Sequence, residues 1–263
     1  MSRPGNQQRK TEPRLGAPLD INLDDVEAFA THQLVLPLRT RYVRSAMLAE
    51  WAILRLVEDL EALNEQHLAA HGRSLFTAVK GRVKEESSFL NKLLGACRTI
   101  ARSRGLSQET LETAFANIRD LAGVRFSCPY FDEVVPAVDH LVRPRLSTLG
   151  YGTDLRGEVG YEDKNQLDEG DEFGYRAYHF YLRVPTAVDI YGAVELCVCE
   201  VQARTELQHV WADKSHALLY KPASGWNVDD EHVVGLMRQV SNSLRAVDEY
   251  LVDIRRRSRG EAP

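Results

Sequence analysis

YRAYHFYLRV, residues 175–184, has the alternating pattern of a β-strand. Successive residues of a strand point to opposite sides of a sheet, so this stretch has two faces of different chemistry. The apolar face predicts packing against a core, whereas the aromatic and polar face suits a ligand-binding shelf. The apolar face consists of Tyr178, Phe180, Leu182 and Val184, and the other face consists of Tyr175, Ala177, His179, Tyr181 and Arg183.

Two further stretches have the composition of strands. They are GVRFSCPYF (123–131) and AVELCVCEVQA (193–203), and both are rich in the residues that favour extended structure. At the end of the second stretch, Glu200, Gln202 and Arg204 share one face. Three polar residues in register indicate either a solvated sheet face or a site.

Helical spacing of apolar residues surrounds these strands. The predicted helices cover residues 39–70, Glu86 to about Gly105, 132–146, 205–221 and 229–257. We interpret one stripe of the first helix as its core-facing side. That stripe consists of Val43, Met47, Trp51, Leu54, Val57 and Leu60.

The composition is that of a globular protein, with 263 residues, 44% hydrophobic and 27% charged. A net charge of -5 argues against a general polyanion binder. No apolar run approaches the roughly 20 residues of a membrane span, and the N-terminus lacks the apolar segment of a secretory signal. We therefore expect a cytoplasmic protein with no membrane partner. The four cysteines lack CxxC spacing, which argues against a disulfide framework or a zinc site.

GRVKEESSFLNK, residues 81–92, places positive side chains and a hydroxyl around a predicted helix start. These side chains belong to Arg82, Lys84, Ser88 and Lys92. Together with the helix dipole they suit a polyphosphate ligand, although a solvated helix start has the same composition.

A second polar element is the bend that leads into the first strand. Asp120 precedes Gly123 in this bend, and Arg125 follows it. A carboxylate at such a position can hold Mg²⁺ or cap a turn.

In this order, the polar motifs resemble the synthetase domain of the RelA/SpoT alarmone synthetases. Arg82, Lys84, Ser88 and Lys92 match the family's sequence of Arg-x-Lys, Ser and Lys. DLAGVR (120–125), GYRAYH (174–179) and EVQART (200–205) match three further motifs. The segment LQHVWADKSHALLYK (207–221) is similar to the Trp-Ala…His…Tyr-Lys helix of the family. The resemblance covers roughly residues 40–225.

The predicted elements form a protein of the α/β (α+β) class, with a mixed, largely antiparallel sheet and helices packed on one face. The resemblance implies a nucleotidyltransferase-like synthetase fold with helical N- and C-terminal extensions. We predict a disordered tail (1–20), a catalytic domain with N-terminal helices (21–225), and a C-terminal helix with a basic tail (226–263).

The resemblance also implies an activity. Family members transfer the β,γ-pyrophosphate of ATP to the 3′-hydroxyl of an acceptor, usually GDP or GTP. By this resemblance, ATP is bound by two arginines that flank its adenine, Arg82 and Arg125, and by three residues around its phosphates, Lys84, Ser88 and Lys92. Mg²⁺ is held by the catalytic residues Asp120 and Glu200, and Glu200 also takes the hydroxyl proton. The acceptor is bound by Tyr175, His179, Gln202 and Arg204.

The chain departs from the better-known members just before the GYRAYH motif. Those members carry Lys-Pro-Asn there, whereas this chain has Asp171, Glu172 and Phe173. This form resembles a branch that includes small alarmone synthetases and toxic relatives. Three interpretations stay open: a guanosine alarmone synthetase, a toxic synthetase acting on tRNA or adenosine nucleotides, and a catalytically inactive nucleotide-binding regulator. A protein antitoxin and a homo-oligomer are further partners that the resemblance leaves open.

His209 and His216 lie two turns apart in the predicted helix 205–221. Such spacing occurs in metal sites, but packed or capping histidines are more common. We therefore interpret this pair as structural.

Overall fold

The computed structural model describes residues 21–104, 107–188, 194–215, 218 and 231–260. The predicted tail (1–20), His216 and the Tyr-Lys end of the predicted helix 205–221 lie outside the described residues. The helices are α1 (Val26–Thr31), α2 (Leu36–His71), α3 (Glu86–Arg104), α4 (Gln108–Ala116), α5 (Val134–Ala137), α6 (Arg143–Thr148), α7 (Glu206–Ser215) and α8 (Glu231–Ser258). The strands are β1 (Ala78–Val83), β2 (Ala122–Cys128), β3 (Lys164–Asn165), β4 (Tyr178–Val188) and β5 (Val194–Thr205).

The chain divides into two compact units. The first unit contains residues up to Arg44 together with Glu85–Ile118, and the second contains Ser45–Lys84 and the residues from Arg119 onward. Helix α2 contributes its start to the first unit and its remainder to the second.

The first unit is helical. Its packing centres on Phe89 of α3, whose ring lies 4.7 Å from that of Tyr42 and 5.5 Å from that of Phe115. Helix α4 begins at a capping box formed by Ser107 and Thr110, which satisfies backbone N–H groups at the helix start.

The second unit is built on a five-stranded mixed sheet of order β1-β2-β5-β4-β3. Strands β2 and β5 are parallel, and every other neighbouring pair is antiparallel. The predicted apolar face of β4 is buried, as are its neighbours Val201 and Val124. This face packs on α2 and on the helical segment 131–148, in which a 3₁₀ turn (Phe131–Glu133), α5, a π turn (Val138–Val142) and α6 follow one another. The mixed sheet predicted from the sequence is confirmed.

Over their described residues, the helices predicted at 39–70, from Glu86 to about Gly105 and at 229–257 are confirmed as α2, α3 and α8. No helix among the described residues is both long and apolar enough to cross a membrane.

The predicted core stripe of α2 is wrong for most of its residues. Val43, Met47, Trp51 and Leu54 are exposed, and only Leu60 is fully buried. The side that packs on the sheet carries a second apolar set, Ala49, Ala52, Ile53, Leu56 and Leu60. Because α2 is apolar on more than one side, its 3.6-residue period did not identify which side faces the core.

Strand β1 was not predicted, and it decides the position of Arg82, which was expected just before or within the first turn of the helix that starts near Glu86. Arg82 lies on β1 and not in the first turn of a helix, because the edge strand pairs with β2. Strand β4 begins at Tyr178, so Tyr175 and Ala177 lie in the loop before it and not on the strand.

Gly81 allows β1 to lie close under α2. A Cβ built at Gly81 would lie 2.1 Å from Ile53 Cγ2, a distance that no packed pair of carbons adopts. A larger residue at this position therefore requires the Ile53 side chain or the backbone to move.

Replacing Gly81 with alanine should lower the free energy of unfolding by about 1–3 kcal/mol, because the added methyl overpacks the contact with Ile53. Gly235→Ala in α8 is the matched control, since a Cβ there meets no atom within 4 Å. The control should raise stability by about 0.5–1 kcal/mol. Urea denaturation of both variants measures these changes, and a Gly81→Ala variant as stable as the parent would contradict the close approach.

Candidate active site

Two rows of side chains cross the sheet on the face opposite the core. In the first row, Gln202 of β5 is paired with His179 of β4 and with Arg125 of β2. In the second row, Glu200 is paired with Tyr181 and with Gly123. Directly paired residues of neighbouring strands point to the same face, so the sheet brings together motifs that are far apart in the sequence.

A chain of hydrogen bonds connects four of the predicted site residues. Tyr175 Oη donates to Gln202 Oε1 at 3.2 Å, and Gln202 Nε2 donates to Glu200 Oε2 at 3.1 Å. The second oxygen of Glu200 lies 3.2 Å from His179 Nδ1. Both oxygens of Glu200 are thereby held in fixed directions.

These contacts also set the charge of Glu200. Burial raises the pKa of its carboxyl, but the hydrogen bond and charge of His179 and the hydrogen bond from Gln202 lower the pKa by more. The net effect is a pKa below the ordinary value of 4.5, so Glu200 is ionised at neutral pH.

Asp120 comes just before β2 and lies beside Glu200, close to the end of β1. Lys84 Nζ donates to Asp120 Oδ2 at 2.7 Å, and both side chains are largely buried. The backbone N–H of Lys84 also donates to the carbonyl of Leu121, which holds the two chain segments together. Asp120 and Glu200 line one small pocket together with Gly123.

Arg204 is a buried cation at the end of β5, with 1% of its surface exposed. Its Nη2 donates to His209 Nδ1 at 2.8 Å, and its guanidinium lies 5.8 Å from the ring centre of Tyr175. Burial, and next the charge of Arg204, lower the pKa of His209 below its ordinary value of 6.5. His209 is therefore a neutral acceptor that orients the guanidinium toward the Tyr175 ring.

The neighbouring Arg125 forms an ion pair with a residue of helix α7. Its Nη1 lies 3.2 Å from Asp213 Oδ1, while the other oxygen of Asp213 lies 3.7 Å from His209 Nε2. His209 and Asp213 are four residues apart on one side of α7, so this helix aligns Arg204 and Arg125 together.

The loop before β4 places Tyr175 without the help of the strand. Asp171 Oδ1 accepts hydrogen bonds from the backbone N–H groups of Phe173 (2.9 Å) and Tyr175 (2.8 Å). Gly174 has φ of +94°, and a Cβ there would lie 2.9 Å from Ser241 Cβ of α8. The glycine before Tyr175 is thus required both by its backbone conformation and by the close approach of α8.

These residues surround a cavity of about 550 Å³. Its lining combines three guanidinium groups with an aromatic ring, which suits a ligand that carries both phosphate and a base. The lining residues are Arg82, Arg125, Asp171, Tyr175, His179, Gln202, Arg204, Ala212, Asp213 and Ser215.

The structure thus brings together nine of the predicted site residues in the second unit. They are Arg82, Lys84, Asp120, Arg125, Tyr175, His179, Glu200, Gln202 and Arg204. Ser88 and Lys92 lie one turn apart on α3 in the first unit, and their part in ATP binding stays a prediction.

Sequence reasoning did not assign Asp171, His209 and Asp213 to the site. His209 and Asp213 lie in the segment 207–221 that is similar to a helix of the family, but neither was given a role in the site, and their four-residue spacing is also typical of a solvated helix face. For Asp171 the signal was its position before the GYRAYH motif.

Similar sequences and structures are found among known proteins. Residues 81–224 match the family model described as the region found in RelA / SpoT proteins. The chain is 27% identical over 172 residues to the GTP pyrophosphokinase YwaC of Bacillus subtilis (strain 168), an alignment that covers 65% of this chain and 71% of that protein.

Solved structures show the same fold. Small alarmone synthetase 1 from Bacillus subtilis, bound to its product pppGpp, matches with a TM-score of 0.60 and 23% identity over 84% of this chain and 99% of that chain. A GTP pyrophosphokinase family protein from Streptococcus pneumoniae matches with a TM-score of 0.55 and 19% identity over 80% of this chain and 92% of that chain.

The lowered pKa of His209 predicts a specific loss of stability in acid. Because the unfolded chain takes up this proton at a higher pH than the folded chain, the free energy of unfolding should fall as the pH decreases below about 6.5. The His209→Asn variant keeps a hydrogen-bond acceptor for Arg204 but has no titrating group at this position. Its free energy of unfolding should therefore fall less as the pH decreases. Urea denaturation between about pH 5 and 8 measures the effect.

His140→Asn is the control, since His140 is exposed and lies outside the cavity. Burial also lowers the pKa of His67, but His67 is present in both variants, so the difference between them reports His209 alone. An unchanged pH dependence in His209→Asn would contradict a neutral His209 beside Arg204.

Proposed function

We propose that this chain, which belongs to the RelA/SpoT family, is a pyrophosphokinase that transfers the β,γ-pyrophosphate of ATP to the 3′-hydroxyl of GDP or GTP. The observation that carries the proposal is the ionised Glu200, held by His179 and Gln202 at the edge of a cavity lined by three arginines. The similarity to the GTP pyrophosphokinase YwaC and to a structure bound to pppGpp supports the same activity.

In the proposed reaction, the acceptor 3′-oxygen forms a bond to the β-phosphorus of ATP while the bond from that phosphorus to the α–β bridging oxygen breaks. The products are AMP and the 3′-pyrophosphorylated acceptor. Glu200 accepts the hydroxyl proton, and its contacts with His179 and Gln202 keep it oriented for this step. Alignment of the two substrates supplies much of the rate enhancement.

We propose that two of the guanidinium groups flank the adenine of ATP. Arg82 and Arg125 lie on adjacent strands in neighbouring rows and both line the cavity, as expected of residues that bind ATP. A planar guanidinium stacks on aromatic rings, so two such side chains also fix the direction of the base. Lys84, Ser88 and Lys92 complete the proposed ATP-binding set.

The carboxylates of Asp120 and Glu200 fit a Mg²⁺ site. They share one small pocket, and Asp120 is close enough to raise the pKa of Glu200. No group of three or more His, Cys, Asp or Glu side chains converges in the described part of the chain, so substrate phosphates would supply further ligands, as is usual for this ion. When bound, the ion would add positive charge beside the transferred pyrophosphate.

We propose that the acceptor lies against Tyr175, with His179, Gln202 and Arg204 around it. The aromatic ring offers a stacking surface for any purine, so it gives little discrimination between bases. Asp171 adds to the same cavity a carboxylate, which can only accept hydrogen bonds. The better-known members carry lysine at this position. Because of this substitution, the identity of the acceptor substrate must be decided by experiment. Because ATP and GTP are cytoplasmic substrates, we also propose a cytoplasmic location.

Replacing Glu200 with glutamine should lower the transfer rate by at least about 100-fold, because the amide cannot take the hydroxyl proton. Label transfer from γ-labelled ATP to GDP measures the rate. Glu206→Gln is the matched control, since Glu206 is exposed at the start of α7 and should leave the rate unchanged. Full activity of Glu200→Gln would exclude Glu200 as the base.

Offering GDP, GTP, AMP, ATP alone and deacylated tRNA in parallel identifies the acceptor. We expect label in guanosine tetra- or pentaphosphate, with a weak dependence on salt because a mononucleotide displaces few counterions. Label on tRNA, with activity falling steeply as salt increases, would support the tRNA-directed alternative. Label in adenosine products would support an adenosine alarmone synthetase, and transfer to none of these acceptors would support the inactive regulator.

A further inference from the structure

Asp171 is held beside Tyr175 by the turn that joins the two residues. The backbone N–H of Asp171 donates to the carbonyl of Tyr175 at 2.9 Å, and its carbonyl accepts from the N–H of Gly174 at 3.0 Å. Its Oδ1 accepts from the N–H groups of Phe173 and Tyr175. The backbone of the loop therefore fixes the direction in which the carboxylate points.

This turn uses only one of the two carboxylate oxygens. The two backbone donors occupy the lone pairs of Oδ1, and no donor in the described part of the chain reaches Oδ2. Because Asp171 lines the cavity together with Tyr175, Oδ2 is available to a ligand there. A carboxylate oxygen accepts hydrogen bonds only, so it favours a ligand that presents N–H or O–H groups.

The two ends of the Tyr175 side chain have different neighbours. Its phenol oxygen donates to Gln202, which in turn donates to Glu200, the proposed base for the acceptor hydroxyl. Its backbone end carries the hydrogen bonds to Asp171. An acceptor stacked on this ring has its ribose toward Glu200, because the 3′-hydroxyl reacts there. The edge of its base that is farthest from the ribose then lies toward Asp171.

We propose that Asp171 is a specificity-determining residue that selects guanine as the base of the acceptor. The edge of a purine farthest from the sugar is its Watson–Crick edge. In guanine this edge carries two adjacent donors, N1–H and the 2-amino group, and Oδ2 has two lone pairs to accept from them. Adenine presents an N1 lone pair there, which a carboxylate repels, and only one donor, its 6-amino group.

This inference rests on the proposed pyrophosphokinase function and adds to it the residue that identifies the base. Stacking on Tyr175 alone accepts any purine, whereas a site that hydrogen-bonds a particular N–H group discriminates strongly against analogues that lack it.

Helix α8 holds the loop in place before a nucleotide binds. Arg238 donates to the carbonyl of Glu172, and Ser241 donates to the carbonyl of Gly174. The side chain of Phe173 packs beside Trp211 and Met237. Because the carboxylate is already oriented, little of its interaction with the base is lost to ordering of the loop on binding.

Inosine diphosphate tests the contact in the parent protein, because it is GDP without the 2-amino group. The kcat/KM for label transfer from γ-labelled ATP should be at least about 10-fold higher for GDP than for inosine diphosphate. For ADP, whose N1 lone pair faces the carboxylate, kcat/KM should be lower than for GDP by at least about 100-fold.

Asp171→Asn should change this preference without opening the turn. Its Oδ1 still accepts from the backbone, but an N–H donor replaces Oδ2 and meets the donors of guanine. The ratio of kcat/KM for GDP to that for inosine diphosphate should fall to within about 3-fold. The ratio for ADP to GDP should rise by at least about 10-fold, a gain that a misfolded loop would not produce.

Glu172→Gln is the matched control. It removes the same charge from the adjacent residue, which is exposed and lies outside the cavity. This variant should keep the acceptor ratios of the parent.

The outcomes separate the role of Asp171 from the proposed function. Equal use of GDP and inosine diphosphate by the parent would overturn the role of Asp171, and so would an Asp171→Asn variant that loses activity on all acceptors in equal proportion. In both cases label is still transferred, so the pyrophosphokinase function stands. Absence of transfer from the parent to any nucleoside diphosphate would overturn both.

Discussion

The parallel pairing of β2 with β5 fixes the register on which the site depends. It aligns Gly123 with Glu200 and Arg125 with Gln202, while the antiparallel pairing of β4 adds His179 to the same face. A shift of one residue in either pairing would turn the polar side chains toward the core and expose the apolar ones. Because Val124, Val201 and Phe180 are buried on the opposite face, such a shift would expose them to water at a cost in free energy. Their burial therefore stabilises the register that forms the site.

Buried polar contacts fix the end of β5, where the strand passes into α7. Thr205 donates to Asp248, accepts from the backbone N–H of Gln208, and so caps α7. Next to it, His209 holds the buried Arg204. Leaving either partner unsatisfied in this environment would be costly, so α7 and α8 restrict the positions that the β5 side chains can take.

Helix α8 also supports the site directly. Its inner face supports the loop that carries Tyr175, because Ser241 and Arg238 both donate to backbone carbonyls of residues 172–174.

The sequence by itself determined the local structure and the chemistry. Period-two alternation identified β4 and β5, period-3.6 spacing identified α2, α3 and α8, and the motif residues carried the charges that the site requires. The tertiary structure decided what depends on pairing between distant segments. It decided that Arg82 lies on an edge strand, that the Ile53 side of α2 packs on the sheet while Trp51 is exposed, and that His209 orients Arg204. Periodicity is a property of a single segment, whereas the choice between two apolar faces, or between a packed and a site histidine, depends on partners that approach only when the chain folds.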